Sequence, residues 1–446
     1  MDIELYAHDD VKCSFTVIPY SVVTDKIELE LRASVESRSS HTKEICIDFY
    51  LDEYDDMTKI SSSGIVNLAH GEKFLYRDFF PTRGLSGDHK MVATVRLDGM
   101  PAGAQYTPIK IVPCETMALP FMQTAWLEPY SYLAETITEQ DARDYLHSLK
   151  NVGIDGCIIV CTESIHTNSG AFYDSNLPEF AKFDPPKFNY VQAILDEAEK
   201  LGMHIFIGLG RGDDLWLLWT GLYDNDRIEK QLDFGRRLSA ELWEKYGHYQ
   251  SFYGWYIAHE TDDIDNANRY YNPMTDILHG YCLDKPVMIA PSPGCVIPDA
   301  ECEEARRVVN EAHYDIIAYQ DAVGAGTHPF GNTWNQELRI KNLHKYYKRN
   351  LKSHEGTKKH IWTDLEIWKM DGPTYANSYA AQWSQVARQI EIERNYVEHI
   401  SIYAMPSLFQ DKNAQYTFKT NNIELATKLY EEYREYYEKA KTAYNL

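Results

Sequence analysis

Two different patterns of apolar and polar residues divide this chain. Up to about residue 113, apolar and polar positions alternate with a period of two, which is typical of half-buried antiparallel strands. The clearest predicted strands cover residues 13–18, 26–33, 44–51, 73–76, 90–97 and 106–112. About seven short strands in about 110 residues is the scale of an immunoglobulin-like β-sandwich. We therefore predict an accessory domain of this kind over residues 1–113, with packing or spacing favoured over sugar binding as its role.

From about residue 119, apolar strand candidates alternate with amphipathic helical stretches, which indicates parallel β/α architecture. The eight predicted strands cover residues 119–126, 156–161, 204–210, 254–260, 286–291, 316–320, 360–366 and 399–405. The predicted helices cover residues 138–152, 190–201, 227–246, 269–282, 303–312, 337–351, 378–396 and 423–440. Thr138 with Asp141, and Asn421 with Glu424, have the spacing of a capping box at two helix starts.

The connections indicate how these units close. Helix-to-strand turns are short, as in K-N-V-G-I-D and E-K-L-G-M-H, whereas strand-to-helix segments such as 162–189 and 211–226 are long and rich in aromatic residues. This asymmetry is typical of a (β/α)8 TIM barrel, whose working face lies at the carboxyl ends of its strands. We predict an α/β fold with such a barrel over residues 117–446. A doubly wound open sheet is the alternative, but no glycine-rich phosphate fingerprint follows the first strand.

The net negative charge of the chain limits the kinds of partner that it can bind. Lys and Arg number 44 against 67 Asp and Glu, which gives a formal net charge of −23, and no run of basic residues stands out. Nucleic acid and anionic membrane surfaces both require clustered positive charge. We therefore expect no nucleic-acid or membrane partner, and neutral or cationic small molecules fit better.

The cysteines and the N-terminal sequence bear on compartment and cofactors. The eight cysteines show no C-x-x-C pair and no metal-ligand spacing, so we expect reduced thiols, no metal site and no cofactor. The first residues have neither the basic nor the apolar segment of a signal peptide, and no window approaches 18 uninterrupted apolar residues. The expectation is a cytoplasmic protein.

Polar and aromatic residues stand at the predicted carboxyl ends of the barrel strands and in the loops that follow. They are Gln123, Trp126, Glu163, Arg211, Trp216, His259, Glu260, Tyr319, Gln320, Asp321, Trp334, Asp364, Glu366, Trp368 and Tyr403. Aromatic faces among carboxylate and amide groups suit a sugar, because its C–H face stacks while its hydroxyl groups need hydrogen-bond acceptors. We predict a small-molecule or oligosaccharide substrate bound by these residues.

Two glutamates form the sharpest pair in this set. Glu260 ends the run G-W-Y-I-A-H-E of the fourth strand, and Glu366 ends the seventh strand. Cleavage of a glycosidic bond requires two carboxyl groups, one protonated as a general acid and one anionic as a nucleophile or base. We predict that Glu260 and Glu366 are catalytic. Asp364 has the same strand parity as Glu366 and is the alternative, one layer deeper.

Three motifs carry a family resemblance. G-W-Y-I-A-H-E-T-D-D, I-I-A-Y-Q-D-A-V-G and I-W-T-D-L-E-I-W resemble an uncharacterised barrel family grouped with glycoside hydrolases, and more distantly clan A of the retaining glycoside hydrolases. The resemblance covers about residues 117–410. It implies Glu260 as acid/base, Glu366 as nucleophile and Tyr319 as the tyrosine that orients the nucleophile. Two positions depart from clan A: His259 replaces an asparagine, and Tyr403 and Met405 replace a strand-eight tryptophan.

Two other classes of function remain open at this stage. A divalent-metal barrel enzyme, such as a sugar isomerase, could use Glu163, His259, Glu260 and Asp321 as oxygen and nitrogen ligands. That ligand set is not tightly spaced, and no H-x-H follows the first strand. The third class is a non-catalytic glycan-binding protein that keeps the barrel without its chemistry.

Overall fold

The computed structural model describes residues 6–129, 137–165, 170–214, 217–292, 303–326, 336–370, 377–403, 406–416, 418 and 420–446. The chain forms two compact units. The first comprises Met1–Leu119 and the short segment His279–Lys285, and the second comprises Pro120–Leu278 and Pro286–Leu446.

The first unit consists of two sheets that share one apolar core. The larger sheet contains the strands Tyr6–Ala7, Met100–Val112, Gly87–Leu97, Lys43–Leu51 and Lys59–Ser62 in that order, with Val22–Thr24 beside Met100–Val112 and Val66–Leu68 beside Lys43–Leu51. The smaller sheet contains Val11–Ile18, Glu28–Ser37 and Lys73–Pro81. Alternate residues such as Leu29 and Leu31 on one sheet, and Ile45 and Ile47 on the other, are buried in the shared core. The predicted β-sandwich class is confirmed.

The second unit contains a closed barrel of eight parallel strands, which confirms the predicted fold class. In order around the barrel the strands are Thr124–Leu127, Gly156–Ile159, His204–Gly208, Phe252–Ile257, Val287–Ile289, Ile316–Gln320, His360–Glu366 and Ser401–Tyr403. They are called the first to eighth barrel strands below.

Nine α-helices follow along the described chain. They are α1 (Glu139–Lys150), α2 (Tyr190–Leu201), α3 (Leu217–Thr220), α4 (Asn225–Tyr246), α5 (Ile264–Tyr281), α6 (Glu303–Asn310), α7 (Gln336–Ser353), α8 (Trp383–Glu393) and α9 (Ile423–Tyr444). Within the described residues, none of them is both long enough and apolar enough to cross a membrane.

Local sequence explains where two of these helices begin. Thr138 caps α1 in a complete capping box with Asp141, as its spacing predicts. At α9, however, the cap is Asn422, whose side chain accepts from the Leu425 N–H. The predicted cap Asn421 was wrong by one residue, since its side-chain amide donates to the Ser378 carbonyl instead.

Aromatic side chains fill the barrel interior and identify the inward face of each strand. Phe206 of the third strand meets Trp362 of the seventh, with ring centroids 5.7 Å apart. Nearer the carboxyl ends, Trp126 of the first strand meets Tyr256 of the fourth at 4.7 Å. Since side chains alternate along a strand, Asp364 shares the inward face with Trp362. The barrel interior is therefore filled by packed side chains, and the residues at the carboxyl ends of the strands lie above them.

Candidate active site

The carboxyl ends of the barrel strands bring together a group of polar and aromatic side chains, called the barrel-mouth group here. Its members are Trp126, Glu128, Glu163, Arg211, Tyr256, Glu260, Asp364, Glu366 and Tyr403. Active sites of (β/α)8 enzymes form at this end of the barrel, from the ends of several different strands. Seven of these residues belong to the set predicted from the sequence, and Glu128 and Tyr256 do not.

Glu260 lies just beyond the fourth strand. It is the more accessible of the two glutamates predicted to be catalytic, with 37% of its side chain exposed. The Arg211 guanidinium lies 3.4 Å from Glu260 Oε1 through Nη2. Arg211 Nε also donates to the Ala258 carbonyl at 2.7 Å, just before Glu260 in the chain. The arginine therefore holds the end of the fourth strand and its carboxylate in place.

Glu366 is buried at the end of the seventh strand. Its Oε2 accepts a hydrogen bond of 2.7 Å from the Ala325 N–H, in the segment after the sixth strand. Burial raises the pKa of Glu366 to about 8, and the negative charge of Asp321 adds to the increase. The free protein therefore holds Glu366 mostly protonated at neutral pH.

Asp364 lies one inward position below Glu366 and is only 3% exposed. Its Oδ1 is buried and has no hydrogen-bond partner among the described residues. Burial raises the pKa of Asp364 well above its ordinary value, and the charges of Glu366, Glu260 and Asp321 raise it further. Asp364 is therefore within electrostatic reach of both glutamates that the sequence predicts to be catalytic.

Aromatic rings line the group. Trp126 lies between Tyr256, at 4.7 Å, and Tyr403, at 6.2 Å between ring centroids. The Tyr403 hydroxyl donates to Glu128 Oε1 at 2.9 Å. Glu128 and Tyr256 could have been found from strand alternation, because Glu128 follows Trp126 by two residues and Tyr256 precedes Glu260 by four.

Glu163 connects the loops that follow the second and third strands. Its Oε2 accepts from the Ile165 N–H at 2.8 Å and its Oε1 from the Gly212 N–H at 2.9 Å. Burial raises its pKa to about 7 against the opposing effect of these hydrogen bonds. A Cβ at Gly210 would lie 1.9 Å from Glu163 Oε1, so only glycine leaves room for this arrangement. Its contacts make Glu163 a support for the two loops.

Two residues predicted to bind substrate lie away from the barrel mouth. Gln123 precedes the first strand, at the opposite end of the barrel, where its Oε1 accepts from the Ile400 N–H. Tyr319 faces outward from the sixth strand, and its hydroxyl lies 2.9 Å from His354 Nε2 just beyond α7. The predicted substrate-binding role of Gln123 and the orienting role of Tyr319 are corrected accordingly.

His259 and Asp321 also face the helix layer, and their predicted substrate contacts are corrected as well. The His259 ring packs against Tyr270 of α5 at 4.9 Å between centroids, and the Tyr271 hydroxyl donates to its backbone carbonyl. Asp321 accepts from Gln389 of α8 at 2.5 Å and from the Glu366 N–H at 3.2 Å. His259 thus fixes α5, and Asp321 positions the backbone of Glu366.

The remaining predicted residues divide into two groups. Gln320 is partly buried at the end of the sixth strand, where its amide donates to the Ala290 carbonyl at 3.4 Å, and Trp368 is buried in a two-stranded ladder with Tyr379–Ala380. Trp216 and Trp334 lie outside the described residues.

The residues predicted as ligands in the metal-enzyme alternative do not come together as a ligand set. Glu163 uses both of its oxygens on backbone N–H groups, and His259 and Asp321 face the helix layer. Over the described part of the chain, no three His, Cys, Asp or Glu side chains are arranged to hold a metal ion.

Comparisons with known proteins place this geometry in context. The model of a family described as a domain of unknown function, DUF4434, matches residues 122–416. No curated protein matches the sequence. A solved structure from Bacteroides thetaiotaomicron VPI-5482, provisionally named an alpha-L-fucosidase, is similar with a TM-score of 0.55 at 19% identity, over 71% of this chain and 93% of its own. A GH2 beta-galacturonidase from Eisenbergiella tayi gives 0.43 at 10% identity, over 97% and 72%. The first likeness shows a shared fold, and the second is too low to add to it.

Proposed function

We propose that this chain, which belongs to the DUF4434 family of unknown function, is a glycoside hydrolase. The proposed reaction is cleavage of O-glycosidic bonds in oligosaccharides with retention of configuration. Glu260 and Glu366 are the proposed catalytic residues.

One observation carries the proposal: carboxyl groups from the ends of the fourth and seventh strands converge on one inward-facing region. Burial raises the pKa of Asp364, and the charges of Glu366 and Glu260 both raise it further, so both glutamates lie near the same buried side chain. Two carboxyl groups in different environments are what cleavage of a glycosidic bond requires. Trp126 and Tyr256 are buried here, and Tyr403, which is half-buried and contacts Trp126, supplies a ring on which the C–H face of a sugar can stack.

The environments of the two glutamates suit different tasks. Glu260 is partly exposed and can meet both the leaving-group oxygen and an incoming water molecule. Glu366 is buried, and backbone hydrogen bonds from Gly324 and Ala325 hold its carboxyl group in position for attack on the anomeric carbon. We assign Glu260 as acid/base and Glu366 as nucleophile.

The reaction then has two steps. Glu366, once deprotonated, forms a bond to the anomeric carbon as the glycosidic C–O bond breaks, and Glu260 gives its proton to the departing oxygen. Glu260 next takes a proton from water, whose oxygen attacks the anomeric carbon and displaces Glu366. The two displacements restore the original configuration of the released sugar.

The first test uses aryl glycosides with poor and good leaving groups. Glu366→Gln should lose activity about a thousandfold or more on both kinds, because no nucleophile remains. Glu260→Gln should lose a similar factor on a poor leaving group but far less on 2,4-dinitrophenyl glycosides in the first step, because that phenolate needs no proton. Initial rates and the burst of phenolate measure both effects.

The matched control is Glu355→Gln, the same chemical change at an exposed glutamate beyond α7. It should leave the rates unchanged. Unchanged activity in a folded Glu366→Gln variant would overturn the nucleophile assignment. Glycan binding without product release by the wild-type protein would overturn the proposed hydrolase itself.

A further inference from the structure

The carboxyl group of Asp364 is the least explained polar group in the barrel. It is buried on the inward face of the seventh strand, and its Oδ1 has no partner among the described residues. A buried carboxyl group without a partner costs free energy, whether the acid is neutral or ionised. Such a group is expected to persist where a ligand supplies the missing donor.

The charges around Asp364 indicate what kind of donor fits. Four other carboxyl groups belong to the barrel-mouth group: Glu128, Glu163, Glu260 and Glu366. Arg211 is the cation of that group, and it already contacts Glu260 and the Ala258 carbonyl. Outside the group, the buried Arg339 donates to the Asp321 carbonyl, and its charge opposes the rise in the pKa of Glu366. The group therefore contains more potential negative charge than its own cation can balance.

Aromatic rings lie beside this excess of carboxyl groups. Burial raises the pKa of the Tyr256 hydroxyl, and the charges of Glu260 and Asp364 raise it further, so both carboxyl groups lie near this ring. Trp126 contacts Tyr256, and the Trp126 Nε1 is a second buried polar atom without a partner among the described residues. Ring faces attract cations, and a free indole N–H can donate to a sugar oxygen.

We propose that this site recognises a sugar that carries a protonated amine, with Asp364 as the residue that binds the ammonium group. This inference deepens the proposed hydrolase function by naming its substrate class. An ammonium supplies three donors and a positive charge, whereas a neutral hydroxyl group supplies one donor and no charge. A uronic acid would add a like charge beside Glu260 and Glu366 and is disfavoured.

Binding of a cation should also change the protonation of the carboxyl groups. Burial raises the pKa of Asp364, and the charges of Glu366, Glu260 and Asp321 raise it further, while Tyr256 lies near it on the fourth strand. An ammonium ion at Asp364 lowers the pKa of Asp364 and of Glu366, because it favours their anionic forms. The substrate would thus release a proton and help to generate the nucleophile that the proposed reaction needs.

Binding of small probes to the whole wild-type chain tests the inference. The probes are D-glucosamine, D-galactosamine and 6-amino-6-deoxy-D-glucose, compared with D-glucose, D-galactose, N-acetyl-D-glucosamine and D-glucuronic acid. We expect at least one amine to bind tenfold or more tightly than its neutral parent, with N-acetylation removing the gain and the uronic acid binding more weakly than glucose. Calorimetry at pH 7 in two buffers of different ionisation enthalpy should show proton release.

Two variants test whether Asp364 causes the preference for amines. Asp364→Asn, which keeps the size of the side chain, should remove the preference for the amine. Asp213→Asn is the matched control, because Asp213 is an exposed carboxylate in the loop after the third strand, 66% exposed and paired with Lys230. It should keep the preference. Thermal unfolding establishes that both variants are folded, and the N-acetyl comparison tests the charge without any variant.

Three outcomes would overturn the inference. Amines that bind no better than their neutral parents, a preference that survives in Asp364→Asn, or no binding by any probe at 100 mM would each contradict it. Hydrolysis of neutral aryl glycosides without an amine preference would leave the proposed hydrolase standing and remove only this inference. Selective amine binding without hydrolysis would support this inference and remove the proposed hydrolase function.

Discussion

At the scale of single residues, burial decides what the carboxyl groups of this site can do. An exposed glutamate ionises near pH 4.3. Burial instead raises the pKa of Glu163 to about 7 and that of Glu366 to about 8. A residue that must attack as an anion is therefore mostly neutral in the free protein at pH 7. The pH dependence of the reaction becomes a direct report on Glu366.

Activity should rise with pH, because the anion of Glu366 is the attacking form. Below about pH 8 free Glu366 is mostly protonated, so kcat/KM should rise about tenfold per pH unit towards pH 8 and then level. Because a bound ammonium favours the anion, the rise in kcat for an amino-sugar substrate should occur at lower pH. Initial rates from pH 5 to 9.5 with amine and neutral substrates measure both profiles.

The opposite profile would reverse the assigned roles. A kcat/KM that is level below pH 8 and falls above it would mean that Glu366 acts in its protonated form, as the general acid. Identical pH profiles for kcat and kcat/KM with an amine substrate would remove the proposed effect of the ammonium group on Glu366.

The sequence predicted some residues of the site and misassigned others, because barrel strands are buried on both faces. It placed Glu260, Asp364 and Glu366 at strand ends, where the structure has them. It misplaced Tyr319 and His259, which face the helix layer. Barrel strands are buried on both faces, so alternation identifies two sets of residues without showing which set faces inward. Only contacts such as that between Phe206 and Trp362 decide this.

At the scale of elements, the hydrophobic period predicted every strand of the barrel and misjudged mainly their ends. The sixth and seventh strands, Ile316–Gln320 and His360–Glu366, have their predicted bounds, as does α2. The short helix α3 and the small strands Val22–Thr24 and Val66–Leu68 were not predicted. Such short segments contain too few residues for a period to show, and tertiary contacts determine them.

A glycine of the third strand gives a test at this scale. A Cβ at Gly208 would lie 2.1 Å from the Ile159 carbonyl oxygen and 2.3 Å from that of Val160, which are backbone atoms of the neighbouring chain segment. Backbone atoms within a closed barrel have little freedom to move, so Gly208→Ala should lower the free energy of unfolding by about 3 kcal/mol. Denaturant unfolding followed by circular dichroism measures the loss.

Gly280→Ala is the control for that substitution. Gly280 lies in α5, where an added Cβ has no heavy atom within 4 Å. Alanine there should be neutral or stabilise by up to about 1 kcal/mol, because glycine is the poorer helix former. A Gly208→Ala variant as stable as the wild type would contradict the close packing described for the second and third strands.

At the scale of the whole molecule, the change of period near residue 119 predicted the two kinds of architecture. The sequence contained no sign that His279–Lys285 belongs to the first unit. There the buried Asp284 carboxylate accepts from the hydroxyl groups of Ser14, Thr16 and Ser34 at 2.6 to 2.8 Å. These partners are more than 240 residues away along the chain, so no local pattern reveals them.

In the proposed reaction Glu366 forms a covalent bond to a sugar, and this bond can be trapped. An aryl glycoside that the protein hydrolyses is first found in a panel, and its 2-deoxy-2-fluoro analogue with a good leaving group is then incubated with the protein. The intact mass should increase by one glycosyl group. Peptide mapping should locate this group at Glu366, and the Glu366→Gln variant should not be labelled. A label at Asp364 or Glu260, or turnover of the parent glycoside with inversion of configuration, would contradict the account.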